Sequence, residues 1–203
     1  MAKLKFKYGT MRSGKSVHAL QINHAYKNVG QFGLLFTAGD HSGKEQITSR
    51  IGLSQPAIES DESFDFYLYV QGYVSGSAWV DYIIVDEAQF LTPKQVDELA
   101  EIVDEYGINV HAFGIKVDFK GQLFDGVKRL FEVSDECSEI ETKSLCWCGK
   151  KAIHNVRVNA LDGELILEGS QVQKGDNYET LCRSHVREGL TWQKVKLKKT
   201  YVR

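Results

Sequence analysis

Up to Val133 the chain alternates short apolar runs with stretches where apolar residues return every three or four positions. Residues 3–8 alternate Lys with Leu, Phe and Tyr, the pattern of a strand. From Lys15 to about Val29 the spacing predicts a helix, with Val17, Leu20, Gln21 and His24 marking successive turns. "FGLLFTA" is a second apolar strand. Strand, Gly-containing turn, helix and strand form a βαβ unit, which requires a parallel sheet.

Between Gly39 and about Ser60 the pattern turns polar, and "GDHSGKEQ" reads as a mobile loop. The aromatic run "ESFDFYLYVQGYV" suits a buried helix or a strand and is taken as a helix. "DYIIVD" is a clear strand. The helix after it is fully punctuated, with Thr92 as N-cap, Pro93 at its first position, Gln95 completing a capping box and Gly107 beyond its end. "NVHAFGI" predicts a further strand and "GQLFDGVKRLFEV" a further helix. Beyond Cys137 the pattern changes: "HNVRVNALDGELILEG" is two alternating runs joined by Asp162-Gly163, a hairpin signal. The expected organisation is an α/β domain over 1–141, a small β lobe over 142–192 and a basic tail over 193–203, "QKVKLKKTYVR", that reads as a solvated end.

Composition narrows the functional classes. A chain of 203 residues can hold one domain, or a domain of about 140 residues with an appendage. With 25 basic and 27 acidic side chains the formal charge is -2, so no nucleic-acid partner is indicated. No apolar window of ~18 residues exists and the N-terminal alternation is not a signal core, so a cytoplasmic chain with no membrane partner is expected. Four cysteines are too few for a disulfide scaffold.

The turn after the first strand reads Gly9-Thr10-Met11-Arg12-Ser13-Gly14-Lys15-Ser16, the full G-x-x-x-x-G-K-[ST] pattern in its required strand-to-helix setting. Such a loop wraps phosphates with backbone N–H groups, the helix N-terminus adds positive potential, Lys15 neutralises the outer phosphates and Ser16 offers a hydroxyl to Mg²⁺. A nucleoside triphosphate is the expected ligand. Asp86 ends its strand on the side where ligands gather in parallel sheets, which makes it a partner for Mg²⁺. Glu87 beside it could activate water, as in an ATPase, or take a proton from an alcohol, as in a kinase. The residues alone leave both open.

Cys146-Trp-Cys148 and Cys182-Arg-Ser-His185 bracket the predicted hairpin. Three thiolates and an imidazole form a closed tetrahedral Zn²⁺ site with no open position, hence a structural one. Cysteines buried as small apolar residues are the competing reading, and Cys137 lies too far upstream to join the set.

Taken in order, "GTMRSGKS", "VDEAQF", "GIKVDFKGQLF", "CWCGKKA" and "LCRSH" resemble the type II (cellular-type) thymidine kinase family, in its bacterial and phage branch, from about Lys3 to Gly189. The resemblance implies a P-loop α/β sheet with a zinc-bearing lasso lobe. It implies transfer of the γ-phosphoryl group of Mg·ATP to the 5′-hydroxyl of thymidine in deoxynucleotide salvage. On that basis Glu87 is the general base, and Gly9, Thr10, Met11, Arg12, Ser13, Gly14, Lys15 and Ser16 with Asp86, Glu87, Ala88 and Gln89 hold Mg·ATP. Met11, Phe90, Ile115, Phe119, Phe124 and Tyr178 line the thymine pocket, with backbone of Val172, Gln173, Lys174 and Gly175 at the base edge. Zinc sits on Cys146, Cys148, Cys182 and His185. A homotetramer and feedback by thymidine triphosphate are also implied.

The chain departs from the family pattern at Ser42, where an Arg is expected after Asp40. A guanidinium missing there weakens charge stabilisation unless Lys44, Arg50 or Lys116 supplies it. The rival readings are a nucleic-acid-stimulated P-loop ATPase, against which the short chain without a second motor domain argues, and a non-catalytic zinc-ribbon module.

Overall fold

The computed structural model describes residues 1–39, 45–76, 79–141, 144–172 and 177–200, the last three by backbone alone. The chain divides into two compact units: Met1–Tyr8, Gly14–Ile115 and Phe124–Ile140 form the first, and Gly9–Ser13, Lys116–Leu123 and Glu141–Arg203 the second.

In chain order the elements are β1 (Leu4–Gly9), α1 (Lys15–Asn28), β2 (Gly33–Ala38), β3 (Gln46–Thr48), β4 (Ser54–Pro56), β5 (Ile58–Ser60), α2 (Phe66–Ser75), β6 (Tyr82–Asp86), α3 (Pro93–Tyr106), β7 (Asn109–Ile115), α4 (Asp125–Val133) and β8 (Glu136–Glu139). A six-stranded sheet runs β5-β2-β6-β7-β1-β8, parallel throughout. Every residue of β6 is buried, as expected of a central parallel strand covered on both faces. Phe6, Phe36, Tyr82, Ile84 and Phe113, from the four central strands, are all at 0 % exposure.

The aromatic run is helical, and its packing explains why. Asp65 caps α2 by accepting from Leu68 N at 2.8 Å, and the Phe66 ring lies 5.0 Å from Phe36 of β2 in an edge-on contact. The caps of α3 are as the sequence predicts: Thr92 Oγ1 accepts from Gln95 N at 3.2 Å, Gln95 Oε1 accepts from Thr92 N at 3.0 Å, and Gly107 takes φ 67°. Gln95 Nε2 also donates to Asp61 O and Phe64 O, so the cap holds the entry to α2.

Three elements differ from the sequence reading. The polar stretch after β2 holds β3 and β4 paired antiparallel and β5 paired to β2, three-residue strands too short for a period-2 signal; residues 40–44, read as a loop, lie outside the described residues. The helix expected from Gly121 starts at Asp125, because Gln122 and Leu123 are used by a turn that Asp118 closes. β8 is an exposed edge strand pairing with β1; its acidic composition hid it, and charge is what keeps such an edge from recruiting other chains.

The second unit carries the predicted hairpin as β9 (His154–Val158) and β10 (Leu165–Ile166), with Gly163 of the joining turn at φ 75°. β11 (Asn177–Leu181) adds a third strand on the other side of β9, followed by α5 (Arg183–Arg187) and α6 (Trp192–Thr200). The basic end therefore starts as a helix, whose first N–H groups donate to Glu179 from Trp192 at 2.7 Å and Gln193 at 3.0 Å. Among the described residues no helix is long and apolar enough to cross a membrane.

Candidate active site and metal centre

The phosphate loop follows β1 and opens α1, the setting its sequence requires. Arg12 at φ 64° and Gly14 at φ 82° are left-handed, and changes of hand along a loop turn successive N–H groups toward a concave side that suits an anion. Arg12 is one of two non-glycine residues described there. Ser13 Oγ is buried without a hydrogen-bond partner, a donor of the kind a phosphate oxygen satisfies. The residues therefore fit a triphosphate.

In the first unit, Lys15 is 8 % exposed and its pKa is lowered, chiefly by burial, while Glu87 and Asp86 act to raise it. Asp86, at the end of β6, is pushed up to about 6 by burial and by the neighbouring Glu87. The Ser16 hydroxyl and the Glu87 N–H, at 3.0 Å, oppose that rise by donating to its carboxylate. A hydroxyl against a buried carboxylate is the hard oxygen pair that Mg²⁺ prefers. Glu87 itself sits at φ 54°, outside the comfortable region for a residue with a side chain. Its Oε2 accepts from Gln89 Nε2 at 2.6 Å, and Gln89 Oε1 accepts from Ile115 N at 3.0 Å. Gln89 is 2 % exposed and Ala88 0 %, so both lie in the floor behind the acidic pair.

Of the expected pocket residues in this unit, Phe90 and Phe124 meet edge-on with ring centroids 5.9 Å apart, and Ile115 is buried at the end of β7. Arg50, one of the cations considered as a substitute near Ser42, is close enough to Lys15 to help lower its pKa. Asp40, Ser42 and Lys44 lie outside the described residues, and Lys116 belongs to the second unit.

The second unit gathers Met11, Phe119 and Tyr178. Met11 N donates to Asn155 Oδ1 at 2.7 Å, and Asn155 Nδ2 donates to Val117 O at 3.3 Å. Asp118 shapes the turn that presents Phe119 by accepting from Lys120 N at 2.8 Å and Gln122 N at 2.9 Å, while its other oxygen accepts from Gln171 Nε2 at 3.0 Å. The Arg157 guanidinium lies 3.9 Å over the Phe119 ring and donates to Tyr178 Oη. Val172 is exposed and its carbonyl accepts from Ser170 Oγ at 2.9 Å; Gln173, Lys174 and Gly175 lie outside the described residues. Asn155, Arg157 and Asp118 escaped the sequence reading. In "HNVRVN" the alternating polar residues look like a solvent face, and only Tyr178 as the cross-strand partner of Arg157 shows otherwise.

The four candidate metal ligands do come together, with ligand atoms of Cys146, Cys148, Cys182 and His185 all within 4.8 Å of one another. Cys148 and Cys182 sulfurs are 4.0 Å apart, against about 3.8 Å for two thiolates on a tetrahedral Zn²⁺. Cys146 Sγ lies 3.2 Å from His185 Nδ1. The Cys182 pKa is lowered, first by the His185 backbone N–H at the start of α5, which favours the thiolate; burial instead raises Cys146. The donor set fits a structural metal. Trp147, between the first two ligands, stacks on the His185 ring at 4.2 Å and 1° and fixes its plane. Cys137 contacts Leu130 O instead.

A parallel sheet with a phosphate loop after its first strand and an acidic pair after β6 defines an α/β protein of the P-loop class. Comparison with known proteins narrows this further. The sequence pattern of the family described as Thymidine kinase matches residues 2–186. A thymidine kinase of Cutibacterium acnes is 46 % identical over 198 residues, covering 94 % of this chain and 91 % of the relative. Thymidine kinases of Streptomyces coelicolor, 43 % identical over 199 residues (94 % and 91 %), and Lactococcus lactis, 42 % over 190 (91 % and 97 %), are similar along equally long stretches. The chain belongs to the thymidine kinase family.

Proposed function

We propose that the protein is a thymidine kinase of deoxynucleotide salvage, transferring the γ-phosphoryl group of ATP to the 5′-hydroxyl of thymidine. The observation that carries this is the phosphate loop and acidic pair of a P-loop sheet in a chain that matches the family along nearly its whole length. No feature favours the nucleic-acid-stimulated ATPase.

Glu87 is the general base. The Gln89 amide holds one carboxylate oxygen at 2.6 Å, which orients the other toward the attacking hydroxyl. Lys15 and the backbone N–H groups of Gly9 to Ser16 bind the phosphates, with Arg50 adding positive charge. Ser16 and Asp86 would hold Mg²⁺, which when bound would neutralise phosphate charge. Ala88 and Gln89 complete this ATP side as buried supports. On the family resemblance, thymine recognition is assigned to Phe90, Ile115 and Phe124 of the first unit and to Met11, Phe119 and Tyr178 of the second, and the base edge to the backbone of residues 172–175. Zinc on Cys146, Cys148, Cys182 and His185 stabilises the 142–192 lobe and its lasso. We further infer a cytoplasmic homotetramer inhibited by thymidine triphosphate, consistent with thiols kept reduced for metal.

Incubation with Mg·ATP and thymidine, deoxyuridine or deoxycytidine, followed by chromatography, tests the activity. Thymidine monophosphate is expected; free phosphate without any monophosphate would make water the nucleophile.

A further inference from the structure

Asn155 and Arg157 of the second unit are buried polar side chains that bind neither phosphate nor metal in the proposed function. Strand alternation gives β9 two faces. Val156 and Val158 pack in the cluster that holds Cys146 and Cys182. On the other face Asn155 and Arg157 are 2 % and 1 % exposed.

Arg157 is paired across the sheet with Tyr178 on one side and Ile166 on the other. Its Nη2 donates to Ser170 O at 2.9 Å and to Tyr178 Oη at 3.1 Å, and its Nε reaches the same hydroxyl at 3.3 Å. Its plane covers the Phe119 ring at 3.9 Å. A side chain at Gly169, which takes φ 117°, would press on Nη1, so that turn is shaped around the guanidinium. Buried charge is costly, and a position that needed only volume would be filled by Leu or Met. The planar fork of Arg serves the hydroxyl, the carbonyl and the ring together, which an ammonium cannot do.

We propose that Arg157 is a positioning residue for nucleoside binding: it sets the ring of Phe119 and the hydroxyl of Tyr178. The two guanidinium N–H groups that converge on Tyr178 Oη fix where that hydroxyl stands. Asn155 extends the same face to Met11 and Val117. The inference rests on the reading of Met11, Phe119 and Tyr178 as the thymine pocket.

The test is steady-state kinetics of the zinc-loaded protein with thymidine and ATP varied separately, alongside zinc content. In Arg157→Met the thymidine KM should rise about tenfold or more while the ATP KM stays within about twofold and zinc is retained. Arg157→Lys should not rescue it, and carries the test if Arg157→Met does not fold. Combining Arg157→Met with Tyr178→Phe should raise the KM less than the product of the single effects, because both act through one hydroxyl. A parallel rise in both KM values, zinc loss, or an unchanged thymidine KM would overturn the proposal. Phe119→Ala and Tyr178→Phe separate the two readings. If neither alters the thymidine KM, the pocket itself is wrong and the proposal falls with it. If both do and the Arg157 variants do not, only the proposal fails.

Discussion

In the first unit the interior is made of large apolar side chains at 0 % exposure, among them Phe6, Phe36, Phe66, Tyr82, Leu99 and Phe113. The second unit's cluster is small: Ala152, Val156, Val158 and Leu181 around two of the metal-ligand cysteines, with a buried arginine on the far side of the central strand. The first has enough apolar surface to fold by burial alone, whereas a lobe of about 60 residues does not and needs a staple. Order thus comes from packing in one unit and, on the proposed zinc reading, from coordination and polar bonds in the other.

The largest effect expected from this contrast is that of metal removal. A structural Zn²⁺ supplies about 10 kcal/mol of apparent binding energy. Chelation under reducing conditions should strip amide-exchange protection from β9 and β11 and leave β6 and β7 protected; equal loss in both units would erase the distinction. Next comes Phe113→Ala, which opens a cavity in the packed unit and should cost about 3–5 kcal/mol in urea unfolding of the β6–β7 region.

A pH effect is expected from a buried histidine of the first unit. His111 is 4 % exposed, with Nε2 3.2 Å from Tyr26 Oη and Nδ1 without a partner. Burial, with help from Lys5 and Lys7, lowers its pKa from 6.5 to about 4. Between those values the unfolded chain takes up a proton that the native protein does not, so His111 makes stability fall as pH drops through this window. Urea midpoints from pH 7 to pH 4 should decline less steeply in His111→Gln than in the unaltered protein. The smallest effect is Thr92→Ala, about 1 kcal/mol, from loss of the α3 cap.

The same contrast explains what was legible in the sequence. α3 was readable because its period, capping box and terminal glycine agree; β6 was readable as an unbroken apolar run and α1 from the phosphate loop that opens it, while Gln21 and His24, read as marking its turns, are exposed. The clustering of Cys146, Cys148, Cys182 and His185 was readable from their two pairs with the help of the family resemblance, and the hairpin from Asp162-Gly163. Arg157 and Asn155 were not, since a polar face on a strand looks the same whether it meets water or a buried ring. β3, β4 and β8 are too short or too charged for periodicity to register. The strained backbone of Glu87 and its amide tether through Gln89 to Ile115 depend on contacts 26 residues apart, which no local pattern encodes.

The role of Glu87 is the central claim, and Glu87→Gln tests it most directly, because the amide keeps the shape and loses the ability to accept the proton. ATP affinity should stay near that of the unaltered protein while thymidine phosphorylation falls by about 10²–10⁴. Turnover near the original rate with normal ATP binding would contradict the assignment and require another group to take the proton.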